Sequence, residues 1–192
     1  MKKNIKQIVK NYYGEIAAKN KSGCCNSGCG CGNAVTNEQI AESIGYSNQE
    51  IESAPDANLG LGCGNPTGMG KIREGDVVLD LGSGTGFDCF LAAKKVGLSG
   101  RVIGVDMSEE MIDIARAHAN KYGYKNVEFR LGDIEKLPVE DNSIDIIISN
   151  CVINLAPDKS KVFNEARRVL KRDGKMYISD IVLLKPNFPQ EL

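Results

Sequence analysis

Val77-Val-Leu-Asp80-Leu-Gly82-Ser-Gly84-Thr-Gly86 is an apolar run that breaks into a glycine turn, and its reading decides the fold. Val77 to Leu81 reads as a strand and Asp88 to Val96 as a helix, so the glycines sit where a strand hands over to a helix. Glycine suits such a turn because the chain reverses sharply and because any Cβ would hold a ligand away from the main chain. Downstream the alternation continues. Arg101 to Val105 reads as a second strand, and Ser108 caps a helix that runs to about Lys121. Asn126 to Leu131 and Ile144 to Ser149 read as the third and fourth strands. Asp158 to Lys171 reads as a helix with Val162, Ala166, Val169 and Leu170 on one face, and Lys175 to Val182 as the fifth strand. Strands alternating with helices predict an α/β fold: a Rossmann-like, doubly wound, mostly parallel sheet with five core strands. The near-continuous apolar run of Ile144, Ile146, Ile147 and Ile148 suits a sheet covered on both faces.

The chain before this unit is different. Ile5, Ile8, Val9, Tyr12, Tyr13 and Ile16 fall at helical spacing, predicting an amphipathic helix that ends near Gly14 to Lys19. Ser22 to Asn33 is rich in Gly, Cys, Asn and Ser and reads as a loop. Thr36 with Gln39 and Ser47 with Glu50 have capping-box spacing and open two short helices. Asn58 to Gly70 is a second, glycine-rich loop. Residues 1–70 are therefore expected to form helices and Cys/Gly-rich loops that cover the active site, and residues 71–192 one compact ligand-binding domain. Pro186 and Pro189 read as a linker after the fifth strand, and the chain is expected to be a truncated piece of a longer protein.

With 192 residues, 42% hydrophobic and 26% charged, the composition is that of a chain with one core. A formal net charge of -1 gives no electrostatic reason to expect nucleic acid or an anionic membrane as a partner, and the basic stretch Met1 to Lys21 reads as a solvated helix face. No stretch approaches the roughly 20 apolar residues of a membrane span, and the start lacks the apolar core of a signal peptide, so a cytoplasmic location is expected. Seven cysteines, an odd count without an export signal, point to reduced thiols engaged in soft-ligand or redox chemistry.

The glycine turn alone also occurs in dinucleotide-binding enzymes. Here Phe87 stands where that fingerprint wants Gly or Ala, and Asp80 beside the turn disfavours a pyrophosphate while suiting a cationic amine. Asp106, twenty residues after Gly86 at the end of the second strand, can accept both hydroxyls of a ribose. S-adenosylmethionine, with an α-ammonium and a sulfonium, satisfies both demands. The Asp-x-Gly-x-Gly-x-Gly loop, Asp106 with Met107, Gly132-Asp133-Ile134 and Ser149-Asn150 together resemble the class I S-adenosylmethionine-dependent methyltransferases over about Val77 to Val182. The resemblance implies that Gly82, Ser83, Gly84 and Gly86 carry the donor, that Met107 and Ile134 sandwich its adenine, and that Asp133 accepts the adenine amino group. It places Asn150 near the methionine moiety. Residue by residue the bland alternatives are ordinary strand-to-helix turns and, for Asp133, a helix cap.

Two thiols lie within reach of such a donor. Cys151 follows the fourth strand in Ser149-Asn150-Cys151-Val152-Ile153-Asn154-Leu155, and Cys63 sits in the flexible Gly60-Leu-Gly-Cys63-Gly-Asn-Pro66. With Tyr12-Tyr13-Gly14 and the cysteine cluster near residue 30, these segments resemble the arsenite methyltransferase family. That resemblance implies trivalent arsenic bound to Cys63 and Cys151 thiolates, with a further family cysteine from beyond the fifth strand, past the end of this chain. It implies arsenite and small thiols as partners, a thiol reductant as co-substrate, and no catalytic metal. Arsenic(III) is soft and three-coordinate with a lone pair, so thiolates can present it for in-line attack on the methyl carbon without a general base. His118, at helical spacing from Met111 and Ala115, then reads as packing.

Cys24, Cys25, Cys29 and Cys31 depart from the paired spacing of structural zinc. They read as a zinc site, a metalloid relay, or partners of Cys63 in a disulfide; the family resemblance assigns one upstream cysteine to the site, for which Cys31 is the candidate. Cys89 is either a buried small residue or a thiol activated by a helix N-terminus. Tyr12 and Tyr13 either cover the donor or pack the first helix. Three functions are thus set against each other: an arsenite methyltransferase, a methyltransferase of an organic small molecule whose thiols are incidental, and a thiol-based metalloid- or zinc-binding module without catalysis.

Overall fold

Five parallel strands form one sheet in the computed structural model, which describes residues 2–21 and 35–182. β1 (Val77–Leu81) lies at the centre between β2 (Arg101–Asp106) and β4 (Ile144–Asn150), and β3 (Val127–Leu131) and β5 (Leu170–Ser179) form the edges, in the order β3-β2-β1-β4-β5. Asp80 stands opposite Gly104 on one side and Ile148 on the other. The chain winds one way from β1 to β3 and the other way from β4 to β5. This reversal opens a crevice at the carboxyl ends of β1 and β4, where ligands bind in such sheets.

Side chains alternate between the two faces, and both faces are covered, as the isoleucine-rich β4 predicts. Val78, Val102, Ile146 and Ile148 pack under α5 (Phe87–Val96) and α6 (Glu109–Tyr122), with Phe90, Val96 and Ile112. Leu79, Leu81, Ile103, Val105 and Ile147 pack on the other face under α7 (Lys159–Val169), through Val162, Ala166 and Val169. The doubly wound α/β fold follows from these two layers.

The N-terminal elements lie beside the crevice. α1 (Lys2–Lys21) packs on α6. It ends at Lys21, two residues past the expected Gly14-to-Lys19 stop, and runs through Gly14, where a Cβ would come to 3.2 Å from Glu110 Oε2, so the glycine serves a close approach. Both capping boxes are formed, Thr36 opening α2 (Asn37–Ser43) and Ser47 opening α3 (Asn48–Glu52). A 3₁₀ turn (Pro55–Ala57) follows. Within the glycine-rich segment read as a loop, Asn65 caps a single turn of helix, α4 (Pro66–Met69). Tyr46 and Ile51 bury against Leu91 of α5.

The second departure concerns α7, which stops at Val169, short of Lys171. Leu170 pairs with Ile144 instead, so β5 begins five residues before the expected Lys175, across a register shift between Ile144 and Ile146. Lys171 is then free to bond Asp145 at 2.7 Å. The Cys cluster 24–31, with the candidate Cys31, and Pro186 and Pro189 lie outside the described residues. Among the described residues, no helix is long and apolar enough to cross a membrane.

Candidate active site

The glycine turn forms the floor of the crevice. Gly82, Gly84 and Gly86 all have positive φ, at 70°, 51° and 95°. The Gly82 and Ser83 amides donate to the Val105 carbonyl at 2.8 and 3.0 Å, and the Gly84 amide donates to Asp106 Oδ2 at 2.9 Å, so the turn is fastened to the end of β2. The three glycines serve different ends. A Cβ at Gly82 would come to 2.5 Å from Val152, and one at Gly86 to 2.7 Å from Phe129, whereas one at Gly84 would meet nothing within 4 Å. Gly84 faces open space. Ser83 Oγ is buried there without a hydrogen-bond partner among the described residues, a donor and acceptor left for something that enters.

Three carboxylates gather on this floor. Asp80 is buried, and its carboxyl is held well above the usual range, first by loss of water and next by the nearby Asp88 charge. The Cys89 thiol donates to Asp80 at 3.2 Å, and burial pushes that thiol well up, so Cys89 is a neutral packing group. Burial pushes Asp88 up to about 6, against the hydrogen bonds it receives from Tyr46 at 2.7 Å and Asn150 at 3.1 Å. Asp106 is raised by burial, against the backbone amides of Ser108, Gly84 and Met107. Together these groups form an acidic pocket that a cation would relieve.

Asn150, at the end of β4, ties this floor to the thiols. Its Nδ2 donates to Tyr46 Oη at 3.0 Å, to the Gly64 carbonyl at 2.8 Å and to Asp88, while its Oδ1 accepts from the Cys63 amide at 3.0 Å. The side chain therefore clamps the 60–66 loop against the strand end. Cys63 and Cys151, 88 residues apart in sequence, are joined as a disulfide with Cα atoms 5.9 Å apart. Cys151 holds φ at 53°, a left-handed conformation that costs a non-glycine residue about 1 kcal/mol or more. Its amide is satisfied by the Ser179 carbonyl at 2.8 Å, so strand β5 sets this corner.

α1 closes the opposite side. Lys6, Val9 and Tyr13 line the cleft, and Lys6 Nζ bonds Asp133 Oδ2 at 2.5 Å and Glu135 Oε2 at 2.9 Å. Burial lowers the Lys6 ammonium pKa, and the two carboxylates more than offset it, for a net upward shift.

Residues 72–192 match the family model described as a methyltransferase domain. The chain belongs to this methyltransferase family. It is 46% identical over 194 residues to the arsenite methyltransferase of Halobacterium salinarum, covering 97% of this chain and 49% of that protein. Among solved structures it is similar to the arsenic(III) S-adenosylmethionine methyltransferase of Chlamydomonas reinhardtii, at 41% identity and a TM-score of 0.58, covering 73% of this chain and 48% of that one. A methyltransferase described as SAM dependent from Aquifex aeolicus superposes with a TM-score of 0.60 at 28% identity, over 81% of this chain and 79% of that one. The methyltransferase chain spans about half the length of the curated relatives it matches.

Asp80, Gly82, Ser83, Gly84, Asp106, Met107, Asp133, Ile134, Asn150 and Cys151 of this methyltransferase domain, with Tyr13 of α1, line the same cleft. Gly86 does not; its freedom is required by the rings of Phe129 and Phe90 behind the turn. Cys63 reaches the cleft edge through Cys151. His118 stands away from it, with Nδ1 at 3.4 Å from the Thr85 carbonyl oxygen, in keeping with packing. Three groups at the site were not singled out from sequence. Asp88 follows the turn by two residues and reads as an ordinary first-turn acid. Tyr46 arrives from the turn between α2 and α3 and Lys6 from α1, and no local spacing reports such contacts.

Proposed function

We propose that the protein transfers methyl groups from S-adenosylmethionine to trivalent arsenic bound by the Cys63 and Cys151 thiolates. The observation that carries this reading is the meeting of two cysteines from remote segments beside an acid-floored glycine turn. The likeness to arsenite methyltransferases over most of the chain supports it.

The residues fit the donor. The open space before Gly84 admits a ligand to the main chain, the unpartnered Ser83 Oγ offers it a hydrogen bond, and the acids at Asp80 and Asp88 suit its ammonium and sulfonium charges. Asp106 would hold the ribose, and Met107 and Ile134 would flank the adenine. Asp133 would turn from Lys6 to the adenine amino group, or share itself between them. When bound, the donor supplies an electrophilic methyl carbon on a positively charged sulfur.

Cys63 and Cys151 must first be reduced, so a small thiol or thiol-reductant system is part of the proposal. The two thiolates then displace oxygens from arsenite and present the arsenic lone pair, which needs no general base.

The experiment is calorimetric uptake of arsenite and of S-adenosylmethionine by the reduced chain, followed by mass spectrometry of methylated products from the whole protein. Cys63→Ser and Cys151→Ser should each lose arsenite uptake and methyl transfer while binding the donor nearly as before. Methylation retained in either variant would refute the assigned thiol roles. An arsenite-blind reduced chain that still binds the donor would turn the reading toward an organic nucleophile.

A further inference from the structure

A third potential ligand stands beside the two cysteines. Cys63, Cys151 and Asp180 each offer one ligand atom, and all three atoms lie within 4.8 Å of one another. We propose that, once the disulfide is opened, these residues form a binding site for a thiophilic divalent cation of the zinc or cadmium kind. The proposal shares two residues with the methyl-transfer reading but does not rest on it.

Asp180 follows β5 directly, at the carboxyl end of the sheet where the cleft lies. Its carboxylate is held in place rather than free to swing. Oδ1 accepts from Asn154 Nδ2 and from the Ile181 amide, both at 2.9 Å, and Oδ2 accepts from the Asn154 amide at 3.1 Å. These are the hydrogen bonds to the carboxylate among the described residues, and they leave lone pairs for a metal. Outer partners of this kind orient a ligating carboxylate.

The thiols need little movement. Zinc bonds sulfur at about 2.3 Å in a tetrahedral arrangement, which sets two ligating sulfurs roughly 3.8 Å apart. With Cα atoms 5.9 Å apart, Cys63 and Cys151 can reach that separation by side-chain rotation after reduction. Reduction takes two electrons and two protons into the disulfide to give two thiols. A dithiol supplies both and closes to its own cyclic disulfide. Cation binding then releases up to two protons as the thiols become thiolates.

The donor set itself selects the ligand class. With both thiols deprotonated on binding, two thiolates and a carboxylate place three negative charges around the site, which a divalent cation offsets and a neutral ligand does not. A neutral, soft arsenic(III) centre gains little from a carboxylate oxygen, whereas zinc and cadmium accept mixed sulfur and oxygen ligands. Three protein ligands leave a fourth position open to water or another exchangeable ligand. It would occupy the sulfurs that the methyl-transfer reading gives to arsenic, and so compete with it.

The test uses the whole chain with Cys24, Cys25, Cys29 and Cys31 changed to Ser, because those thiols could bind metal on their own. Cys89 is fully buried and does not interfere. After reduction with dithiothreitol and its removal, Cd²⁺ is titrated while the ultraviolet cadmium–thiolate band and proton release are recorded. The expected result is saturation at one equivalent with up to two protons released. Cys63→Ser or Cys151→Ser should collapse the band, and Asp180→Asn should weaken binding at least about tenfold with the band retained at saturation. Asp180→Ala, with its folding checked by urea denaturation, provides the second variant. No band in the reduced parent, or cadmium affinity unchanged in both Asp180 variants, would overturn the proposal. Arsenite uptake by the same reduced parent reports on the methyl-transfer reading alone, so the two can fail separately.

Discussion

Replacing Gly84 and Gly86 in turn by alanine separates what the glycine turn does for the fold from what it does for a ligand. At Gly84, φ of 51° lies in the left-handed region, where alanine costs about 1–2 kcal/mol. Alanine also restricts the unfolded chain, which returns about 0.4–1 kcal/mol. Its Cβ would meet nothing within 4 Å. The net loss is about 1 kcal/mol, a fall in Tm of roughly 2–4 °C. At Gly86 the same strain applies, and the Cβ would stand 2.7 Å from Phe129 of β3 and 3.0 Å from Phe90 of α5, both buried in the same core. Overpacking adds about 1–3 kcal/mol to the same net backbone cost of about 1 kcal/mol, for a total of roughly 2–4 kcal/mol. Binding should show the opposite order. The Cβ at Gly84 occupies the space through which the donor would approach the main chain, and loss of even one good contact there lowers affinity about tenfold. Thermal denaturation and calorimetry of S-adenosylmethionine binding read the two effects. A Gly84→Ala protein that binds the donor like the parent, or a Gly86→Ala protein of parental stability, would refute this division of roles.

Four more outcomes are expected. A cationic donor favours ionised Asp88, whose carboxyl is raised to about 6 by burial; affinity should therefore be full above that pH and fall as the pH drops through it, by up to about tenfold per unit, and Asp88→Asn should flatten the curve in calorimetry. The donor-free chain runs the other way, since a raised folded pKa means that stability declines as pH rises from about 4 to about 6, which urea midpoints can follow. Asn150→Ala leaves the Cys63 amide and the Gly64 carbonyl without their partner and should cost about 2–4 kcal/mol in urea unfolding, with faster alkylation of reduced Cys63 as the loop loosens; unchanged alkylation would remove Asn150 as the clamp. The Cys63–Cys151 disulfide closes a loop of 88 residues, so in the chain-entropy picture dithiol should lower stability by about 4–5 kcal/mol, and Cys63→Ser should make the chain insensitive to dithiol.

Much of the architecture is legible along the chain because it depends on local patterns. β1 spans Val77–Leu81 as its apolar run predicts, and both capping boxes form where Thr36 and Ser47 announce them. The boundary between α7 and β5 was not legible. Leu170 fits the helical face of Val162, Ala166 and Val169, but its pairing with Ile144 draws it into the sheet, a contact with no local signature. The end of α1 was legible to within two residues, but the role of Gly14 was not: glycine commonly ends a helix, yet here it lies inside α1 and lets it run close to α6.

The site divides along the same line. Sequence alone determined the glycine turn, the acids at strand ends and the two cysteines, because the spacing of strand, turn and helix carries ligand groups to one edge of a parallel sheet. Only the tertiary structure decided that Cys63 and Cys151, which the family resemblance implies share one arsenic, are joined as a disulfide, that Tyr46, Asp88 and Asn150 form one buried network, and that Asp180 stands beside the sulfurs. Such contacts join segments tens of residues apart, and they are set by how β4, β5 and the N-terminal helices pack around the crevice rather than by any periodicity in the chain.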